Sequence, residues 1–256
     1  MKIILIVMIM LNNMIFSRLN ARDLIIGGKK SEQSRWFNEA TQKYTGFDVE
    51  VIDYIMKKLG ISYTVLLEES STRLEHGWQD VRPYYDMVFT YSFKKERLKY
   101  LIYPSESHVN IEWNFFIRKE DEGKYTFNSY KDLKGLRIGF TKGQSYSDGF
   151  LDAISRNLFI IDEVVQDSLQ IPKLLNYRID AVPLSTSTTL YVAEKDGYRN
   201  KISYLPKPVK SEPYYNTFVK NSDYPDLMKI IPRYDRVLKQ MKKDGTLKMI
   251  AEKYSK

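Results

Sequence analysis

The 256-residue chain contains no cysteine. Disulfides, thiolate nucleophiles, cysteine-based zinc sites and a lipid anchor built on cysteine are thereby excluded. Histidine is nearly as scarce, with only His76 and His108 present. A histidine-rich metal site is ruled out, and both histidines read as core or surface residues rather than as catalytic bases. No apolar run reaches the roughly 20 residues that a membrane span needs. Blocks of one charge are missing too. The net charge of +8 is spread over interspersed Lys and Glu, so nucleic acid is not an expected partner. A modest positive field favours anionic ligands. No repeat of 20 to 50 residues and no low-complexity tract is visible.

What is present begins with Lys2, an uncharged run from Ile3 to Leu11, and a candidate cleavage site after Ala21. Residues 1–21 therefore read as a secretory signal peptide, with the mature chain exported to the periplasm. The remainder is long enough for one large domain or two medium lobes.

Asp23 to Gly28 reads as the opening strand, followed by a polar loop from Lys29 to Thr45 that carries Glu32, Trp36 and Phe37. Trp36 is a candidate to line a ligand cleft. Gly46-Phe47-Asp48 starts a helix whose apolar residues Val51, Ile52, Ile55, Met56 and Leu59 recur at three- and four-residue steps, and Gly60 ends it. Ile61 to Leu67 reads as a second strand, Trp78 to Tyr85 as a helix and turn, and Met87-Val88-Phe89 as a short buried strand. This alternation predicts a parallel α/β unit.

Past that third strand, Thr90, Ser92 and Arg97 fall within eight residues. Ligands of open α/β sheets bind beyond the C-terminal ends of strands. A guanidinium there can grip a carboxylate with two parallel hydrogen bonds, and hydroxyls can complete the shell. Ile111 to Arg118 is an aromatic-rich strand, after which a second α/β unit runs from about residue 120 to 206. Within it, strand Leu136 to Thr141 ends in Gly143-Gln144-Ser145 before a helix, a turn that can aim backbone N–H groups at an anion. Glu212 to Lys220 mirrors the earlier aromatic strand, and helices complete the chain. A second unit inserted into the first requires two chain crossings, and these paired strands supply them. The fold class is therefore α/β and bilobed, with lobe 1 formed by 22–115 and 213–256 and lobe 2 by 116–212. Ligand would sit in the cleft of a protein that closes about a hinge.

Several segments resemble one family at matching spacing. They are Gly46-Phe47-Asp48-Val49-Glu50, Tyr85-Asp86-Met87-Val88, Glu96-Arg97, Asp132-Leu133-Lys134-Gly135-Leu136-Arg137-Ile138-Gly139, Arg178-Ile179-Asp180-Ala181 and Asp244-Gly245-Thr246-Leu247. In order and spacing the chain resembles family 3 solute-binding proteins, the periplasmic binding proteins of polar amino acid ABC transporters. The resemblance implies that Arg97 binds a ligand α-carboxylate, with Thr90, Ser92 and Ser145 contributing contacts. It further implies a small-molecule solute, anionic or zwitterionic, handed to an inner-membrane permease by a monomer that has no cofactor and catalyses nothing. Ser185 marks a departure. Amino acid binders of the family usually carry an acid there to pair with the ligand ammonium, and an unpaired buried charge costs on the order of several kcal/mol. Either Glu32 or Asp167 substitutes, or the ligand is not an ordinary α-amino acid. A sensor without a permease and a periplasmic dehydratase on the same fold are the alternative readings. No residue stands out as a general base for the latter.

Overall fold

Two glycines bracket the first helix in the computed structural model, which describes residues 22–254. The signal-peptide reading of residues 1–21 lies outside the described residues. Gly46 has φ +119°, and a Cβ there would sit 2.4 Å from the Ser34 carbonyl oxygen. Only glycine fits both constraints. Gly60 adopts the left-handed conformation at the other end, where its N–H reaches the carbonyls of Met56 and Lys57.

In chain order, β1 (Leu24–Lys29) is followed by the hairpin β2 (Trp36–Asn38) and β3 (Lys43–Thr45), then α1 (Phe47–Leu59) and β4 (Tyr63–Glu68). The hairpin lies in the segment that the sequence reads as a polar loop. Helix α2 (Ser71–Gln79) starts ahead of the expected Trp78, because Ser70 caps it by accepting from the Arg73 N–H. Then come β5 (Met87–Ser92), β6 (Leu101–Ile102) and β7 (Val109–Arg118). The second unit holds β8 (Arg137–Thr141), α3 (Asp148–Ser155), β9 (Ile160–Val164), α4 (Gln170–Leu175), β10 (Val182–Ser185), α5 (Thr186–Lys195) and β11 (Ile202–Tyr204). Strand β12 (Lys210–Val219) and helices α6 (Leu227–Lys243) and α7 (Thr246–Lys253) complete the chain. Helix α5 has no counterpart in the sequence reading. Its apolar stripe is thin, with Thr189 and Ala193 as its buried residues.

β1 pairs in parallel with both β4 and β5, the strand–helix–strand pattern expected of an α/β unit. β8 and β9 pair in parallel, and a parallel bridge joins Ile138 to Ala181. Strands β7 and β12 link the two units. Residues 109–113 of β7 pair antiparallel with 210–214 of β12. Beyond that stretch β7 continues against β10 and β11, and β12 against β5 and β6. The fold is bilobed α/β with two crossing strands.

Each lobe has its own core. One packs Ile52, Ile55 and Met56 of α1 against Tyr234, Leu238 and Met241 of α6. The other gathers Phe115 of β7, Leu133, Ile138 and Phe150 of α3. Each such side chain contributes about 1.5–3 kcal/mol on burial, so each lobe is stabilised by apolar packing of its own.

Candidate functional site

A cavity of about 200 Å³ lies where the end of β5, the turn after β8 and the start of α5 converge. That is smaller than the roughly 300–1,000 Å³ of drug-sized pockets and suits a compact solute. Arg97, Ser92, Thr90, Ser145 and Ser185 all line it. Trp36 does not; its ring meets Tyr254 edge-on, 6.1 Å between centroids.

Arg97 is delivered by the helical turn Lys95–Lys99 that follows β5. Its Nη1 donates to the Ser92 carbonyl at 3.0 Å and lies 3.4 Å from Ser92 Oγ. The Tyr103 hydroxyl donates to the same carbonyl at 2.8 Å. The guanidinium sits over the Tyr91 ring at 4.9 Å, a favourable seat for a cation. Only 11% of the Arg97 side chain is exposed, and its Nη2 stands 3.8 Å from Glu75 Oε1. The fork is therefore held by a backbone oxygen and an aromatic face, with donors left over for a bound anion.

Ser145 approaches from the other lobe, its Oγ 3.0 Å from Ser92 Oγ. The turn that carries it is fixed twice. The Thr141 N–H donates to the Tyr146 hydroxyl at 2.8 Å, and Lys210 Nζ donates to the Ser145 carbonyl. Lys210 also donates to the Tyr214 hydroxyl at 2.8 Å and lies over the Trp113 ring at 4.5 Å. Burial pushes the Lys210 ammonium down to about 8, only partly opposed by nearby Glu212.

Behind Thr90 lies a buried ionic cluster with no signature in the sequence. Thr90 has φ +59°, uncommon for a β-branched residue. Its N–H donates to Asn216 Oδ1 at 3.2 Å, and its hydroxyl donates to Asp48 Oδ2 at 2.8 Å. Arg35 pairs with Asp48 through Nη1, and Arg35 Nε donates to the Lys29 carbonyl at 2.7 Å. His108 Nε2 lies 3.0 Å from the other Asp48 oxygen, with Phe47 stacked on its ring. Burial raises the Asp48 carboxyl, but Arg35, His108 and Thr90 together outweigh it and hold the group below its ordinary range. The Thr90 hydroxyl, read from sequence as a ligand contact, is thus engaged by Asp48, although Thr90 lines the cavity. His108 is a core residue, and His76 is exposed on α2.

Charge also bridges the cavity mouth. Lys29 Nζ meets Asp167 Oδ2 at 3.0 Å, and Gln144 Nε2 donates to the same oxygen. Lys195 on α5 pairs with Glu32. Of the two acids named from sequence as substitutes at Ser185, Asp167 lines the cavity and Glu32 does not. Ser185 itself directs its hydroxyl to Thr188 Oγ1 at 3.3 Å. Among the described residues there is no His, Asp and Glu cluster able to hold a metal, and no helix long and apolar enough to cross a membrane.

Known proteins share this architecture. An ancestral arginine-binding protein bound to arginine superposes with TM-score 0.73 at 20% identity, covering 92% of this chain and 99% of that one. The GluR0 ligand-binding core in complex with L-glutamate superposes with TM-score 0.74 at 14% identity, covering 93% of this chain and all of that one (100%). In sequence, a probable amino-acid ABC transporter-binding protein of Haemophilus influenzae is 23% identical over 231 residues, 90% of this chain and 83% of that protein. The probable amino-acid-binding protein YxeM of Bacillus subtilis is 23% identical over 213 residues, 83% of this chain and 76% of that protein. The model of the bacterial extracellular solute-binding proteins, family 3, matches residues 24–256. With two α/β lobes, two crossing strands and a solute-sized cavity between them, the chain belongs to family 3 of the bacterial extracellular solute-binding proteins.

Proposed function

We propose that the cavity captures one small carboxylate-bearing solute, an amino acid or a close relative, with Arg97 as the anchor of its carboxylate. The observation that carries this reading is the meeting of the Arg97 fork with Ser92 and Ser145 at one point of the cavity. A guanidinium held by a backbone oxygen and an aromatic ring needs little reorganisation to accept an anion. Lobe 1 (22–115 and 213–256) supplies Arg97 and Ser92, and lobe 2 (116–212) supplies Ser145 and Ser185. Closure between them excludes water and strengthens the charge pairing.

The protein acts by binding rather than by catalysis, as a periplasmic monomer that passes an anionic or zwitterionic solute to an ABC-type permease. The names of the Haemophilus influenzae and Bacillus subtilis relatives and of the arginine-bound neighbour support this assignment. Thermal unfolding and calorimetry against a panel of amino acids and simple carboxylates test it. A ligand at about 100 times its dissociation constant should raise stability by about 2.7 kcal/mol. Arg97→Ala should abolish that rise, and an undiminished rise in the variant would refute the anchor.

A further inference from the structure

Lining the cavity beside Arg97 is Glu75 of α2. Among the described residues its carboxylate accepts no side-chain hydrogen bond; the cation within 4 Å of it is Arg97 Nη2, at 3.8 Å, with Lys94 and His76 acting from farther away. The Arg97 separation is beyond hydrogen-bonding reach. The other acids near the cavity already have a cationic partner. Asp167 Oδ2 is held by Lys29 and Gln144, which balances the charge of that carboxylate, while its Oδ1 is buried with no hydrogen-bond partner. Asp48 is buried against Arg35, Thr90 and His108. Glu32 pairs with Lys195 and is not part of the lining.

We infer that Glu75 receives the ammonium of the bound solute, so that the Arg97–Glu75 pair reads the whole head group of an α-amino acid. The inference rests on the reading of Arg97 as the carboxylate anchor. In an α-amino acid the ammonium nitrogen and carboxylate carbon share one carbon and lie about 2.5 Å apart. Laid antiparallel against a cation and an anion 3.8 Å apart, such a head group meets an opposite charge at both poles. Its carboxylate takes the spare donors of Arg97 and its ammonium the free oxygens of Glu75.

Burial drives the Glu75 carboxyl upward, opposed chiefly by Arg97, so an arriving ammonium offsets part of the solvation that this half-buried carboxylate has lost. A simple carboxylate offers Glu75 only repulsion. The acid missing at Ser185 on one wall is in this way supplied from the facing wall. The implied ligand class is zwitterionic, and carboxylates without an amine are rejected.

The test compares L-alanine with propionate, L-glutamate with glutarate, and L-arginine with 5-guanidinopentanoate, by calorimetry on the wild type and on Glu75→Gln. The wild type should bind at least one of these amino acids on the order of tenfold or more tighter than its amine-free partner, the scale of a charged hydrogen bond. In Glu75→Gln the ratio should fall to within about threefold, through weaker amino acid binding and equal or tighter binding of the amine-free acid. Glu75→Ala keeps good helix propensity and should read the same way, and circular dichroism reports whether each variant is folded. A ratio unchanged in both variants overturns the role of Glu75 while Arg97 stands. So does a wild type that binds both members of each pair equally. A wild type that binds no amino acid and no carboxylate overturns the reading of the cavity, and this inference with it.

Discussion

Ser92 Oγ at the end of β5 lies 3.0 Å from Ser145 Oγ on the turn after β8, so hydroxyls from the two lobes touch across the cavity. The Lys29–Asp167 and Glu32–Lys195 pairs lie on the same seam. The cleft is therefore in a closed arrangement, held by polar contacts that are individually weak.

Removing the charges of that seam should favour the open form. Exposed ion pairs contribute about 0–1 kcal/mol each and weaken with salt. Lys195→Ala combined with Asp167→Asn should therefore increase the radius of gyration in X-ray scattering and weaken ligand binding by roughly fivefold or less per pair. The wild type should move the same way in high salt. An unchanged scattering curve under both treatments would show that the pairs do not hold the lobes together.

Asp48 should matter for stability more than for affinity. Asp48→Asn leaves Arg35 buried without its counter-charge, a loss of about 3–5 kcal/mol measurable by denaturant unfolding. Because the folded-state carboxyl is held below its ordinary 3.8, its stabilisation is full above the unfolded value. It is lost as pH falls through the folded one. The gap between wild type and variant should be constant near neutrality and narrow in acid. A gap that widens in acid would contradict this sign.

Lys210 should titrate apart from the other lysines, near 8 rather than at its ordinary 10.5. NMR of isotopically labelled lysine side chains would follow it directly. The depressed value means that the charged form is disfavoured in the folded state. That penalty, roughly 3 kcal/mol, is present below about pH 8 and is relieved as pH rises toward the unfolded value. Lys210→Met should thus gain most relative to the wild type at neutral pH and least at pH 10. A Lys210 resonance that titrates together with the exposed lysines would remove the basis for this expectation.

Tyr85 fills the space between β1 and α2. A Cβ added at Gly77 would lie 2.5 Å from the Tyr85 ring, and one added at Gly27 would lie 2.6 Å from it. Gly77→Ala should overpack this contact and destabilise the protein by about 1–3 kcal/mol, despite the better helix propensity of alanine. Tyr85→Leu in the same background should recover part of the loss. A Gly77→Ala variant as stable as the wild type would mean that the ring has room to move.

Much of the architecture is legible in the sequence because its signals are local. The periodic face of α1 with its closing glycine, and the short apolar run of β5 that breaks into Thr90 and Ser92, each declare themselves within a dozen residues. Arg97 and Ser145 sit beside such breaks, so strand ends alone mark them as candidates. Glu75 carries no local sign. It belongs to a polar helix whose start depends on the Ser70 cap, and reading that helix as beginning near Trp78 removes Glu75 from view. Arg35, Asp48 and His108 come together from a loop, a helix start and the approach to β7. Nothing in their spacing reports that meeting. Trp36 misleads for the opposite reason, since an aromatic on a loop near a cleft is equally able to pack against the terminal helix region at Tyr254.

The two linking strands are hydrogen-bonded to each other over residues 109–113 and 210–214, and this has a mechanical result. Neither strand can slip along the other without breaking its ladder, whereas both can bend together. Movement between the lobes would then proceed by bending and twisting of the paired strands rather than by sliding of one lobe past the other. Such a motion would return the same facing side chains of the two walls to one register.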